Sequence, residues 1–123
     1  MTKSDAQWLF LQDVALLIIY AEKCGYKLTG GELKRTLYQQ EEHVRLGASK
    51  TLHSDHLDAL AVDLNIFFDY DGDGDKDYVG TLPSAKAISE DLGEYWKSLH
   101  PENYWGGDFE TFTDCPHFGR KYR

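Results

Sequence analysis

The hydrophobic pattern changes period along the chain, and the changes mark its elements. Ser4-Asp5-Ala6-Gln7 reads as a capping box, and Lys23 followed by Gly25 as a stop. Between them lies the longest apolar run, Val14 to Tyr20, so a core helix is predicted from about Asp5 to Cys24. Lys27 to Arg35 reads as extended. Thr36-Leu37-Tyr38-Gln39 is a second capping box, opening a helix that reaches Leu46 before Gly47, with Glu41 and Arg45 as a solvated i,i+4 pair. Residues 47 to 55 read as a loop. Val62, Leu64, Ile66 and Phe68 then alternate with Ala61, Asp63, Asn65 and Phe67, the period of a strand. That strand buries the first set and turns Asp63 the other way, and Tyr78 to Leu82 is expected as its hairpin partner.

Ser84 is the expected cap of a third helix, in which Ile88, Leu92, Tyr95, Trp96 and Leu99 form one stripe at helical spacing. Such a stripe reads as core before it reads as a binding face. Trp105 to Phe118 is expected to return as a turn and a strand. The fold class is therefore α+β, a small antiparallel sheet packed against about three helices. A single domain is expected over the 123 residues, with no second module, and no internal repeat appears.

Composition narrows the function. A net charge of −8 argues against nucleic acid, whose phosphates call for a basic face. The run Val14 to Tyr20 is far shorter than the ~20 residues that span a bilayer, and no cleavable signal precedes it, so synthesis in the cytoplasm is expected. Cys24 and Cys115 would stay reduced there, and they are too few for a thiolate-rich zinc cage. A monomer is expected.

Chemistry concentrates in two stretches, Ser54-Asp55-His56-Leu57-Asp58-Ala59-Leu60-Ala61-Val62-Asp63 and Asp114-Cys115-Pro116-His117. Two imidazoles and a carboxylate are borderline donors that suit zinc, and three protein ligands leave a fourth position open for water. The pattern Ser-x-His, six residues, Asp, then Asp-x-Pro-His-Phe resembles the zinc DD-peptidase family. That family comprises VanY-like D-alanyl-D-alanine carboxypeptidases and phage L-alanyl-D-glutamate endolysins. The phage branch is the better match, because Leu57, Leu60, Ala61, Val62, Asp63 and Leu64 continue its His-Leu-x-x-Leu-Ala-x-Asp-Leu run. Arg35-Thr36 with Gln39, and Trp105-Gly106-Gly107-Asp108-Phe109, resemble further family segments. Ala59 stands where the family usually has Gly, Lys34 where an aromatic residue is frequent, and Gly119 where an acidic residue is common.

The resemblance implies a hedgehog/DD-peptidase-like fold, with zinc held by His56, Asp63 and His117. His53 is the competing ligand, outside the matched spacing. Asp114 takes the position of the family's catalytic acid. A carboxylate there can accept a proton from the attacking water and return it to the leaving amine, with Glu110 and Asp108 as substitutes. Residues three apart on an ideal strand face opposite ways, so the Cys115-Pro116 step must bend for Asp114 and His117 to meet. Arg35 suits an anion or oxyanion clamp, and Gln39 and Ser54 suit substrate positioning, with ordinary surface hydrogen bonding the alternative for all three. Cys115 reads as packing.

Asp69, Asp71, Asp73, Asp75 and Asp77, with Gly74 at the sixth position, reproduce the first nine positions of a calcium loop, but Gly80 stands where the bidentate Glu belongs. Five aspartates against Lys76 give this stretch half of the chain's net charge, so calcium is expected there; a solvated acidic hairpin tip is the alternative. Together these readings predict a zinc peptidase of the phage endolysin type. It would cut the L-alanyl-D-glutamate bond of peptidoglycan stem peptides, under calcium control, once released to the wall. A D-alanyl-D-alanine carboxypeptidase, or a wall-binding module without hydrolysis, are the alternatives.

Overall fold

A computed structural model of the chain describes residues 1–31 and 58–121. The first helix, α1 (Lys3–Lys23), begins two residues earlier than the sequence suggests. Thr2, and not Ser4, closes the capping box: its hydroxyl accepts from the Asp5 amide while the Asp5 carboxylate accepts from the Thr2 amide. Among the described residues, four β-strands build one continuous antiparallel sheet in the order β1 (Lys27–Gly30), β2 (Ala61–Phe68), β5 (His117–Arg120), β4 (Asn103–Trp105). A fifth, β3 (Asp77–Tyr78), is a two-residue hairpin partner of β2, shorter than expected. Helix α2 (Ala85–Leu99) follows Ser84, whose side chain makes no capping hydrogen bond. The expected helix ending at Leu46 lies outside the described residues.

The alternation in β2 sorts its side chains as its period requires. Val62, Leu64 and Ile66 enter the core with Phe118 of β5, while Asp63 and Asn65 stay half-exposed on the opposite face. Leu92 and Trp96 of α2 are fully buried against that core, so the aromatic stripe is packing. The Trp96 ring meets Phe10 and Phe118 in T-shaped pairs, with centroids 5.5 and 6.1 Å apart, the geometry that ring quadrupoles favour. Its indole N–H donates to both Tyr104 O and Gly119 O at 3.1 Å, tying α2 to β4 and β5 at one point.

Helix α1 buries one stripe, Ala6, Phe10, Val14, Leu17 and Ala21, and leaves Trp8, Leu11, Leu16 and Ile19 exposed. An apolar sequence on every side of a helix does not say which side is covered; packing against a single layer decides it. On the covered side Arg120, only 5% exposed, pairs with Asp13 and donates through Nε to Asn103 Oδ1 at 2.7 Å. A buried guanidinium requires such partners, and these link α1 to the last strand.

Candidate metal centre

The ladder that places Phe118 in the core also places its neighbour on the other face. Asp63 pairs with His117 across β2 and β5, and Val62 with Phe118. Cross-strand partners share a face, so the Asp63 carboxylate and the His117 imidazole are brought together by register alone. Asp63 Oδ1 lies 3.3 Å from His117 Nδ1.

Asp114 reaches the same place through a turn. The His117 amide donates to Asp114 O at 3.0 Å, closing the Asp-Cys-Pro-His segment into a four-residue turn, and this is the bend that the two side chains need. Gly106 braces the turn from behind: its carbonyl accepts from the Asp114 amide at 2.9 Å. A Cβ on Gly106 would lie 2.1 Å from Asp114 O and 2.9 Å from the His117 Cβ, so only glycine allows the approach. Trp105, preceding it, is buried and donates its indole N–H to Cys115 O at 2.8 Å. The Trp-Gly-Gly segment thus acts as a mount for the Asp-Cys-Pro-His turn.

One ligand atom each from Asp63, Asp114 and His117 lies within 4.8 Å of the others. A tetrahedral zinc site with arms of about 2.0 Å has ligand-to-ligand edges of about 3.3 Å, the separation found between Asp63 and His117. The Asp63 and His117 donors and their spacing therefore fit zinc, with the Asp114 carboxylate close by. His56, Arg35, Gln39 and Ser54 lie outside the described residues.

The surroundings separate actors from supports. His117 is 9% exposed, flanked by Tyr104 and Phe109 at ring distances of 5.5 and 5.7 Å. Asp108 is engaged by Lys97 at 2.6 Å and Lys86 at 3.5 Å, which occupies the carboxylate named as a substitute base. Burial pushes the Cys115 thiol above its usual range, as suits a packed neutral side chain and no nucleophile. Residues 47–120 match a family described as D-alanyl-D-alanine carboxypeptidase.

The chain belongs to that family. It is a zinc-dependent peptidoglycan peptidase. Among solved structures it is similar to an L-Ala D-Glu endopeptidase of Serratia marcescens, ChiX, with 26% identity and a TM-score of 0.66. The similarity covers 91% of this chain and 77% of that one. No curated protein is significantly similar.

One contact of the peptidase has no sign in its sequence, and one backbone feature does. Tyr104 Oη lies 3.2 Å from His117 Nε2, and nothing in a lone tyrosine signals that contact. Ala59 adopts a left-handed backbone, φ 54°, just where the resembled family usually carries glycine. That departure is a visible sign of the left-handed turn at Ala59, ahead of Asp63.

A second cluster lies on the loop from β2 to β3. Carboxylate oxygens of Asp69, Asp71 and Asp73 come within 4.8 Å of one another. Asp69 Oδ2 accepts from the Gly74 amide at 3.0 Å, Asp71 Oδ1 from Asp73 at 3.2 Å, and Asp73 Oδ1 from Asp75 at 2.8 Å. Gly72 and Gly74 supply the positive φ values, 76° and 91°, that the tight path needs. Asp75 and Asp77 are not part of the close group, and Asp77 instead pairs with Phe68 in the ladder. Asp69 Oδ1 is buried and finds no hydrogen-bond partner among the described residues. The Asp73 amide favours the Asp71 carboxylate, but desolvation and the neighbouring Asp73 and Asp69 carboxyls outweigh it and leave Asp71 above its ordinary range.

Proposed function

We propose that this peptidase is a phage-type endolysin that hydrolyses the L-alanyl-D-glutamate bond of peptidoglycan stem peptides. The observation that carries the peptidase chemistry is the convergence of Asp63, Asp114 and His117 at one point. The choice of bond is supported by similarity, over 91% of the chain, to an L-Ala D-Glu endopeptidase. The phage assignment draws its support from the His-Leu-x-x-Leu-Ala-x-Asp-Leu pattern, and implies a protein made in the host cytoplasm that meets the wall on release.

In this reading His56, Asp63 and His117 hold zinc. Bound there, zinc supplies a Lewis acid that polarises a carbonyl and acidifies water. Asp114 takes the proton of the attacking water and delivers it to the amine that leaves. Its backbone is fixed by Gly106 and by the turn to His117, so the carboxylate is aimed without cost at the moment of reaction. Arg35 clamps an anionic substrate group, and Gln39 and Ser54 orient the peptide.

Calcium in the Asp69–Asp73 loop belongs to the same reading, supported by three close carboxylates and by the buried Asp69 oxygen. Because β2 carries Asp63 at one end and this loop at the other, ordering the loop would stiffen the strand that presents a zinc ligand. The match to the D-alanyl-D-alanine carboxypeptidase family favours a second reading, removal of the terminal D-alanine. Mass analysis of peptidoglycan after digestion separates them. New N-terminal D-glutamate is the expected product, and release of free D-alanine alone rejects the endopeptidase.

A further inference from the structure

Strand β4 lies on the far side of β5 from Asp63, and Tyr104 pairs there with Gly119. Side chains at 117 and 119 share a face, so the Tyr104 ring starts opposite Gly119 and can lean diagonally toward His117. It does so. A Cβ placed on Gly119 would stand 2.4 Å from both Cζ and Oη of Tyr104, which means that the ring lies directly over the glycine. The phenol oxygen then reaches His117 Nε2 at 3.2 Å, and the two rings stack at 29°.

The imidazole is consequently addressed from both ends. Nδ1 faces the Asp63 carboxylate, and Nε2 faces Tyr104. A histidine that gives its Nδ1 lone pair to a metal carries its proton on Nε2, and a partner for that proton fixes both tautomer and ring orientation. A tyrosine oxygen can accept it. Phe109, at 5.7 Å from the imidazole and 6.1 Å from Tyr104, packs the pair from outside.

We propose that Tyr104 is a positioning residue for the metal centre: its phenol oxygen accepts the Nε2 proton of His117, holding Nδ1 ready for zinc. Gly119 is the other half of the device. It has no side chain, and the tyrosine ring occupies the space that one would take. The inference rests on the zinc reading above.

The test is zinc affinity measured by competition with a chelator, for the parent, Tyr104→Phe, Gly119→Ala and the double variant. Tyr104→Phe should weaken binding about 10- to 100-fold, the usual effect of losing a partner behind a metal-bound histidine, while the metal-free protein melts as the parent does. Gly119→Ala should weaken it too, and the double variant should be no worse than the weaker single one, because both changes break one contact. In the zinc-loaded parent, nitrogen-15 NMR should find His117 protonated at Nε2. Parent-like affinity in Tyr104→Phe, additive losses in the double variant, or a His117 proton on Nδ1 would each overturn the proposal while leaving the zinc site standing. A parent that binds no zinc would remove the zinc reading itself.

Discussion

Asp63 and His117 are cross-strand partners in the β2–β5 ladder, and their donor atoms stand 3.3 Å apart. Adjacent strands of one ladder therefore set the separation that a tetrahedral metal requires.

The first expectation follows from that pairing. The parent should carry one zinc per chain, and Asp63→Ala, His117→Ala and His56→Ala should each lose metal and activity together. Elemental analysis after desalting checks this; three variants that retain full zinc would mean that the ligands are elsewhere.

Asp114 should behave differently from the ligands. Its turn is built from backbone hydrogen bonds to Gly106 and His117, so Asp114→Asn should leave fold and zinc content intact. Turnover should nevertheless fall by roughly 10²-fold or more, the scale of a lost general acid–base. A variant that keeps parental turnover at full zinc loading would move the proton-transfer role to another carboxylate, with Glu110 the next to replace.

Calcium should be taken up by the Asp69–Asp73 loop. Isothermal titration should show one calcium per parent chain and none for Asp71→Asn/Asp73→Asn. With zinc saturating, wall lysis by the parent should rise with calcium while lysis by the double variant stays flat. Equal parental lysis with and without calcium would leave the loop a structural site at most.

Ala59→Gly should stabilise the protein. A left-handed alanine costs roughly 1–2 kcal/mol, of which glycine's greater unfolded-state freedom takes back about half, leaving ~0.5–1 kcal/mol. That corresponds to a rise in Tm of roughly 2–4 °C for a domain of this size, read by calorimetry. A lower Tm would show that the turn after Asp58 is set by its contacts with Lys3 and Gln7 and not by local backbone preference.

Some of this was legible in the chain itself. Residues 61–68 alternate with period two, and a pleated strand has no choice but to send Asp63 to the face opposite Val62 and Leu64. The stripe Ile88, Leu92, Tyr95, Trp96 and Leu99 likewise announced a helix with one buried side. The aspartate spacing from Asp69 to Asp73, with Gly72 among them and Gly74 just after, dictated a tight acidic turn because local hydrogen bonds and positive φ values are written in adjacent residues.

What the chain alone did not decide were the relations between strands. Register is a property of pairs, so nothing local states that Asp63 stands opposite His117, or Tyr104 opposite Gly119; resemblance to a family suggested the first meeting and could not suggest the second. The buried pair of Arg120 and Asp13, and the exposure of Trp8 and Ile19 on a helix apolar all round, were settled the same way. In each case a side chain's environment is made by residues far along the chain, and only the packed sheet and helices bring them within reach.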